Sequence, residues 1–484
     1  MPSDNTVPAM SPVSTVPVHA ALRLLAMAGD LSMGQPTDQS LRSARLAERI
    51  ALLGGADAEG ALHARLVALL RWSGCTANAA GFAALLGDDV GGRDAMLRHA
   101  LPPGHPLTFV NVEPLARIHC EVAGDVAGML GLPPQVEAGL RHVWECHDGS
   151  GAPQRLRGAE IPDAVYYTSL AGDLEILART HDQATAARMM RGWGDVKYPA
   201  AFAELAATHA AALLALLEQP EDDGGAALPA HPVPLHIVAD LIELKLPWLT
   251  GYSRRVAELA ERGAALAGLS PEQQQRLARA ALIHGIGRAS VANTVWERAD
   301  KPSSADWEKI RLAPYWTARA GALEPLLRDE AALASHMYER LDGSGYFRSL
   351  DRDSLGLPQR LLAAAGAYAA LCAPRPWRAA LSREDAGRLL EEQAGRGLFD
   401  AQAVGFVLAA AGGDTAAPVR KGLLSEREVE VLRRVSLGES NKEAARVMQI
   451  SPSTVRTHME SIFRKLECST RAAATLKGLT LGLI

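Results

Sequence analysis

Two stretches of the chain place metal-binding residue types at nearly the same spacing. Residues 336–347 read HMYERLDGSGYF and residues 142–153 read HVWECHDGSGAP. Each offers a histidine, a glutamate three residues on, and an aspartate three residues later within Asp-Gly-Ser-Gly, a run that favours a tight turn. Imidazole and carboxylate groups converging on one point could hold a divalent cation, and a carboxylate can bridge two such ions. The same residues also have a structural use. Asp148 and Asp342 can close Asx turns over the glycines, while Glu145 and Glu339 can bond backbone or nearby arginines.

The elements that must position these residues are almost wholly helical. Stretches such as SLRSARLAERIALL, PEQQQRLARAALI and AFAELAATHAAALLALLE repeat apolar residues at three- and four-residue spacing. Alternating β-branched runs are scarce, so a central parallel sheet, and with it a phospho-receiver domain, is not expected. A hydrophobic share of 48% and a charged share of 22% are ordinary for a globular protein. No apolar run reaches the ~18 residues a membrane helix needs, and residues 1–17 read as a flexible tail rather than a signal peptide. Five cysteines without a C-x-x-C pair suggest reduced thiols and a cytoplasmic protein.

An internal comparison organises the rest. TDQSLRSARLAER from Thr37 matches TGYSRRVAELAER from Thr250 at an offset of 213, which also sets ALLRWSG (68–74) against ALIHGIG (281–287). Further on the offset is 194, pairing His142 with His336 and Asp148 with Asp342. Agreement in register at both ends implies a duplicated helical unit. With Gly/Pro-rich linkers at 221–234 and 412–422, the chain divides into 18–220, 235–411 and 423–484.

The unit resembles the HD-GYP branch of the HD phosphohydrolases, helical bundles whose members cleave cyclic dinucleotides at a two- or three-metal site. The second copy carries the likeness in ALIHGIGRASVANTVWE, HMYERLDGSGYF and RLLAAAGAYAALCAPRPWRAALS, over most of 235–385, and the first more faintly over 18–190. The resemblance implies a histidine where this chain has Gln39 and Tyr252, and a His-Asp pair at Arg71-Trp72 and His284-Gly285. A later histidine falls at His119 and Ala313, a downstream aspartate at Gly172 and Gly366, and a lysine at Cys75 and Arg288. The second copy therefore keeps His284, His336, Glu339 and Asp342, and the first keeps His119, His142, Glu145 and Asp148. Those eight residues are the candidates for a residual ligand or metal site. Glycine supplies no ligand, and a tyrosine hydroxyl titrating near ~10 is a poor one. Both copies read as degenerate, with no catalytic residue assigned and no cofactor expected beyond a residual divalent metal.

The third segment is basic on an acidic body. Residues 421–484 hold eleven Lys and Arg against seven Asp and Glu, within a chain of net charge −5. LLSEREVEVLRRVSLGESNKEAARVMQISPSTVRTHMESIFRKLECSTRAAATLKGLTLGLI resembles the LuxR/GerE-type helix-turn-helix over all of 423–484. Ser425 with Glu428 and Ser440 with Glu443 form capping boxes, Gly438 stops the first helix, and Ser451 caps a helix that begins at Pro452. Val455, Met459, Ile462 and Leu466 make that helix's inward stripe, leaving Ser453, Arg456, Thr457, Glu460 and Arg464 outward. Short polar groups and an arginine at a helix N-terminal half suit the major groove. By the resemblance Arg456 and Thr457 read bases, and Thr454, His458 and Lys465 lie near phosphates.

The expected architecture is all-α: two tandem HD-like bundles followed by a four-helix helix-turn-helix domain. The expected function is transcriptional regulation, with double-stranded DNA as partner, a homodimer formed through the last helix, and a small-molecule or protein signal received by the degenerate copies. The alternatives are a phosphodiesterase tethered to DNA and a protein-docking module with DNA-binding output.

Overall fold

A computed structural model describes residues 14–220, 228–412 and 423–484. Residues 1–13 of the expected tail, 221–227 of the first linker and 413–422 of the second lie outside the described residues. The first repeat runs β1 (Thr15–Pro17), α1 (Val18–Ser32), α2 (Gln39–Leu53), α3 (Ala58–Leu70), α4 (Asp89–Leu97), α5 (Phe109–Met129) and α6 (Asp163–Thr180), with shorter helices among them. The second runs β2 (Pro232–Pro234), α7 (His236–Glu243), α8 (Tyr252–Leu266), α9 (Pro271–Ile283), α10 (Ser304–Leu323) and α11 (Leu357–Leu371), again with shorter helices. Four helices close the chain: α12 (Glu426–Ser436), α13 (Asn441–Met448), α14 (Pro452–Leu466) and α15 (Arg471–Thr480). Among the described residues no helix is long and apolar enough to cross a membrane.

The two repeats share local physics as well as order. Helices α2 and α8 each span 15 residues and α3 and α9 each span 13, at the 213-residue offset read from the sequence. In both, a buried acid from the preceding helix caps the next one. Asp30 accepts the Ser40 amide at 3.0 Å and its hydroxyl at 2.6 Å, and Glu243 accepts the Ser253 amide at 2.6 Å. A carboxyl at a helix N-terminus satisfies an orphan N–H and faces the positive end of the dipole. Burial pushes Asp30 up to about 8 and Glu243 up to about 7, with the serine donors opposing the shift.

Two boundary expectations are corrected. Thr15–Pro17, assigned to the tail, and Pro232–Pro234, assigned to the linker, pair as an antiparallel two-stranded sheet centred on Val16 and Val233. Both valines are buried, so apolar burial holds a segment whose prolines advertise a loop. Gly412, placed at the head of the second linker, instead closes the helix Ala401–Gly412.

The repeats form one body. Helix α1 packs on α2 and α3 of its own repeat and on α7, α10 and the turn Ile286–Ser290 of the other. At the seam, buried Asp89 bonds the buried Lys245 ammonium and accepts the Asn293 amide at 2.7 Å, with Arg93 3.9 Å away. Arg93 is itself fixed by Asn78 Oδ1 at 2.5 Å and by the Cys75 carbonyl at 3.0 Å. One carboxylate thus faces two buried cations drawn from both repeats.

The C-terminal helices have a core of their own, built on Leu432, Val455, Met459 and Ile462. The last of them is shared. Helix α15 lies against α5 of the first repeat and α7 of the second, and its Ala473 and Leu476 join the core of the repeats. The Ser469 amide donates to Glu121 Oε1 at 2.5 Å, Lys477 approaches Asp125 at 3.5 Å, and Thr250 Oγ1 donates to the Ser436 carbonyl at 2.8 Å.

Asp89→Ala leaves Lys245 and Arg93 buried without their carboxylate, and is expected to cost about 3–5 kcal/mol in urea unfolding. The double variant Asp89→Leu/Lys245→Met should recover only part of that loss, because Arg93 stays buried without a carboxylate and the Asn293 amide loses its acceptor. A single-variant loss below about 1 kcal/mol would show that the seam does not depend on this ion pair.

Candidate functional site

The two His-x-x-Glu-x-x-Asp stretches fold alike. Glu145 accepts the Gln154 and Leu156 amides at 2.7 and 3.1 Å, and Glu339 accepts the Arg348 and Leu350 amides at 2.8 and 3.0 Å. Asp148 accepts the Ser150 amide at 2.8 Å and Asp342 the Ser344 amide at 3.0 Å, closing an Asx turn in each repeat. Hydrogen bonds from Ser344 hold the Asp342 carboxyl below its ordinary range. His142 meets Gln154 Oε1 at 3.1 Å, while His336 donates through Nδ1 to the Ala332 carbonyl at 2.7 Å. Beside His336 and Glu339 the free space is about 10 Å³, room for about one water.

The other family positions are closed by neighbouring side chains. In the second repeat the Tyr252 hydroxyl donates to the Gly366 carbonyl at 3.0 Å, and Arg288 donates to the Tyr338 hydroxyl at 2.5 Å. A Cβ added at Gly366 would fall 2.4 Å from Met337 Sδ, so Met337 fills the space of the missing side chain. His284 bonds the Ala281 carbonyl at 2.6 Å, and its Nε2 is buried without a partner. In the first repeat the Trp72 indole donates to Gln39 Oε1 at 3.3 Å and the Arg71 guanidinium lies 4.3 Å over the Trp72 ring. A Cβ at Gly172 would fall 1.6 Å from Arg71 Nη1. His119 meets the Arg71 carbonyl at 2.8 Å and Cys75 at 3.6 Å.

The electrostatics match this packing. Burial depresses His119 and His284 to about 3, so both are neutral near pH 7. Neutral imidazole can bind a metal, but a site needs several donors converging. Among the described residues no three His, Cys, Asp or Glu side chains are grouped to hold an ion. The eight candidates are therefore not brought together as a ligand set: the two glutamates and two aspartates bond backbone amides, and although His336 and Glu339 border one small space, no third such side chain is grouped with them among the described residues. The donor set as placed does not fit the family's metals.

In the C-terminal domain Ser425, Ser440 and Ser451 make their cap bonds, and Val455, Met459, Ile462 and Leu466 are buried. Ser453, Thr454, Arg456 and Thr457 are exposed on α14, and His458 is half-buried. Arg456 pairs with Glu460 at 2.9 Å, an exposed pair that a base edge can replace at little cost. Lys465 is held differently. Its ammonium bonds Glu428 Oε2 at 2.7 Å, and Ser461 bonds the other oxygen at 2.7 Å, so Lys465 braces α14 against α12. Sequence reasoning missed the residues that join this domain to the repeats, above all Glu121, Asp125, Thr250 and Ser469. Their only local signal is the placement of Glu121 and Asp125 one helical turn apart.

Comparison with known proteins places this geometry. Residues 236–403 match the HD domain family, and residues 422–477 match the luxR family of bacterial regulatory proteins. The chain is 27% identical over 296 residues to 3'3'-cGAMP-specific phosphodiesterase 3 of Vibrio cholerae, covering 57% of this chain and 64% of that protein. It thus spans less than two thirds of that relative's length. The nitrate/nitrite response regulator protein NarP of Escherichia coli is 44% identical over 54 residues, 11% of this chain and 25% of NarP. A solved structure of a cyclic GMP-AMP specific phosphodiesterase of V. cholerae shares the fold with a TM-score of 0.58 at 20% identity, covering 83% of this chain and 99% of that one. The second repeat is an HD domain. The chain joins it to a C-terminal LuxR-type helix-turn-helix, the DNA-binding module of bacterial regulators.

Gly366→Asp restores a carboxylate where Met337 now sits, and should cost about 1–3 kcal/mol by overpacking, with Met337→Ala relieving the loss. A melting point that rises when manganese is added to Gly366→Asp would mean that the site still assembles. A second expectation concerns pH. The folded His284 value lies below the unfolded one, so protons bind the unfolded chain first as pH falls below about 6.5. The stability of the wild type relative to His284→Asn should therefore fall by about 2–3 kcal/mol between pH 6.5 and 4.5, read from urea midpoints.

Proposed function

We propose that the chain is a DNA-binding transcriptional regulator whose two helical repeats form a catalytically silent regulatory platform. The observation that carries this reading is the occupation of the ligand positions: Met337 stands in the space beside Gly366, and Arg71 in the space beside Gly172. Phosphodiester cleavage at a metal centre needs ions that lower the pKa of water and neutralise charge on the phosphate. Gly285 and Trp72 occupy the place of the bridging carboxylate, and neither can supply one.

The rival reading is a phosphodiesterase tethered to DNA, favoured by the names of the relatives matched over the repeats. The deciding assay offers purified protein manganese or iron(II) with cyclic dinucleotides and simple phosphodiesters. No turnover above a His336→Ala control is expected; turnover abolished in that control makes the chain an enzyme.

Binding of DNA is assigned to α14, through Ser453, Thr454, Arg456, Thr457 and His458. Residues 420–484 should bind duplex DNA with strong salt dependence, since phosphate contacts release counterions. Arg456→Ala should cost about 1–3 kcal/mol and relax preference at one base pair. Lys465→Ala should weaken all sequences alike and also lower the domain's melting point, because Glu428 loses its partner. The working form on DNA is a homodimer on two half-sites about one helical turn apart, with α15 released from α5 to form the dimer contact. A monomeric mass on a single half-site would rule that arrangement out.

A further inference from the structure

A cleft of about 340 Å³ opens on the first repeat, away from every position of the family's metal site. Those positions include Gln39 at the start of α2 and Arg71 just past the end of α3, whereas the cleft is bounded by Gly54 and Gly55 beyond the end of α2 and by His63 near the start of α3. A helix rises about 1.5 Å per residue, which puts Gly54 about 20 Å from Gln39. Asp163 and Tyr167 of α6 and Phe202 of the helix Ala200–Thr208 complete the walls.

One buried polar group faces this cleft without a partner. Tyr167 is 4% exposed, and among the described residues its hydroxyl makes no hydrogen bond. The hydroxyl has room because residue 54 is glycine: a Cβ there would fall 3.0 Å from it. Burial, and then the Asp163 charge, push the hydroxyl above its ordinary range, so it is neutral near pH 7. The second repeat shows that the bundle does not require this group. The register offsets set Leu361 against Tyr167, Leu357 against Asp163 and Arg276 against His63, and Leu361 is fully buried. The polar set therefore belongs to the cleft.

The charges around it are one-sided. Asp163 is exposed one helical turn before Tyr167 and, among the described residues, has no ion-pair partner. It stands in the first turn of α6, where the dipole favours a carboxylate. No lysine or arginine among the described residues lines the cleft. Helix α2 ends beside it with no basic residue in its last turn, while the start of α3 is already capped by Asp57 through the Gly60 amide at 2.8 Å. Glu59 adds a carboxylate 3.8 Å from His63 Nε2. The Tyr167 and Phe202 rings lie 5.0 Å apart at 36° and give the cleft an aromatic wall.

We infer that this cleft binds a small organic cation, a primary amine with an apolar body about the size of one ring. Its ammonium meets the Asp163 carboxylate and donates to the Tyr167 hydroxyl oxygen, and its body lies against Phe202 and the Gly54–Gly55 backbone. A carboxylate beside aromatic faces is the chemistry that recognises alkylammonium groups. The volume lies near the lower end of small-molecule sites and suits a ligand of that size. A phosphate or carboxylate ligand would find no cation in these walls. The inference goes beyond the regulator reading and does not depend on it, since DNA takes no part in the binding.

The test is calorimetric titration of full-length protein with phenethylamine, tyramine and cyclohexylamine as hydrochlorides, at constant ionic strength and neutral pH. 2-Phenylethanol and phenylacetate serve as separate arms that keep the ring and remove or invert the charge. At least one amine should bind saturably with a Kd of about 1 mM or tighter, and the alcohol and the carboxylate about tenfold or more weakly than it. Asp163→Asn keeps a polar residue at an exposed first-turn position, and should weaken amine binding about tenfold or more. Tyr167→Phe removes only the unpartnered hydroxyl, and should weaken amine binding about threefold with the melting point unchanged. No saturable binding by any of these amines, or wild-type affinity in Asp163→Asn, overturns the site. Alcohol or carboxylate binding as tight as that of the amine overturns the cationic assignment. A melting point of Tyr167→Phe well below the wild type would show that the hydroxyl serves the fold, and would also overturn the site.

Discussion

One buried carboxylate organises the molecule. Asp89 faces Lys245 and Arg93 at the seam of the repeats, where none of the three reaches water. Desolvating three charges is costly unless all are present and aligned, so the arrangement disfavours partly separated forms more than it adds stability. The remaining contacts follow from it. With the repeats fixed, α5 of one and α7 of the other both pack against α15. The space between Trp248, Tyr252 and Tyr368 acquires a further wall in the same way, since Leu437 arrives with the docked domain.

The two repeats show how one hydrogen-bonded frame can enclose centres of different chemistry. The loop-forming part, Glu145 and Glu339 on paired amides and Asp148 and Asp342 on serine amides, is the same in both repeats. The centre differs between them. One repeat closes it with a guanidinium over an indole, the other with a thioether and a tyrosine hydroxyl. Framework bonds must be met because a buried unpaired amide costs about 1–3 kcal/mol, whereas the centre only has to be filled.

Local rules made much of this legible. The serine caps, the helix stop at Gly438, the inward stripe of α14 and the two register offsets are short-range or periodic signals, and the helices sit where those signals put them. The Asx turns were readable from Asp-Gly-Ser-Gly for the same reason. What was not legible depends on partners distant in sequence. Val16 and Val233 pair through a proline-rich strand that carries no strand pattern, Met337 fills a gap opened by a glycine on another helix, and Glu121 meets Ser469 across 348 positions. Lys465 is the instructive case. Its place on α14 suits a phosphate, and only the fold reveals that Glu428 already holds it.

The strand pair has a consequence of its own. Thr15 faces Pro234 and Pro17 faces Pro232, so the strands are related by a local two-fold axis through Val16 and Val233. The two strands meet there with the symmetry of an isologous contact, but on one chain. In a true two-fold assembly every substitution appears twice and every contact is made in duplicate. Covalent linkage removes that restriction and replaces subunit concentration with a high effective one, so the interface need not be tight to persist. The Asp89–Lys245 contact could then arise on one side only, and the two faces became free to differ. A single DNA-binding domain docks on such a body through Glu121 of one repeat and Thr250 of the other.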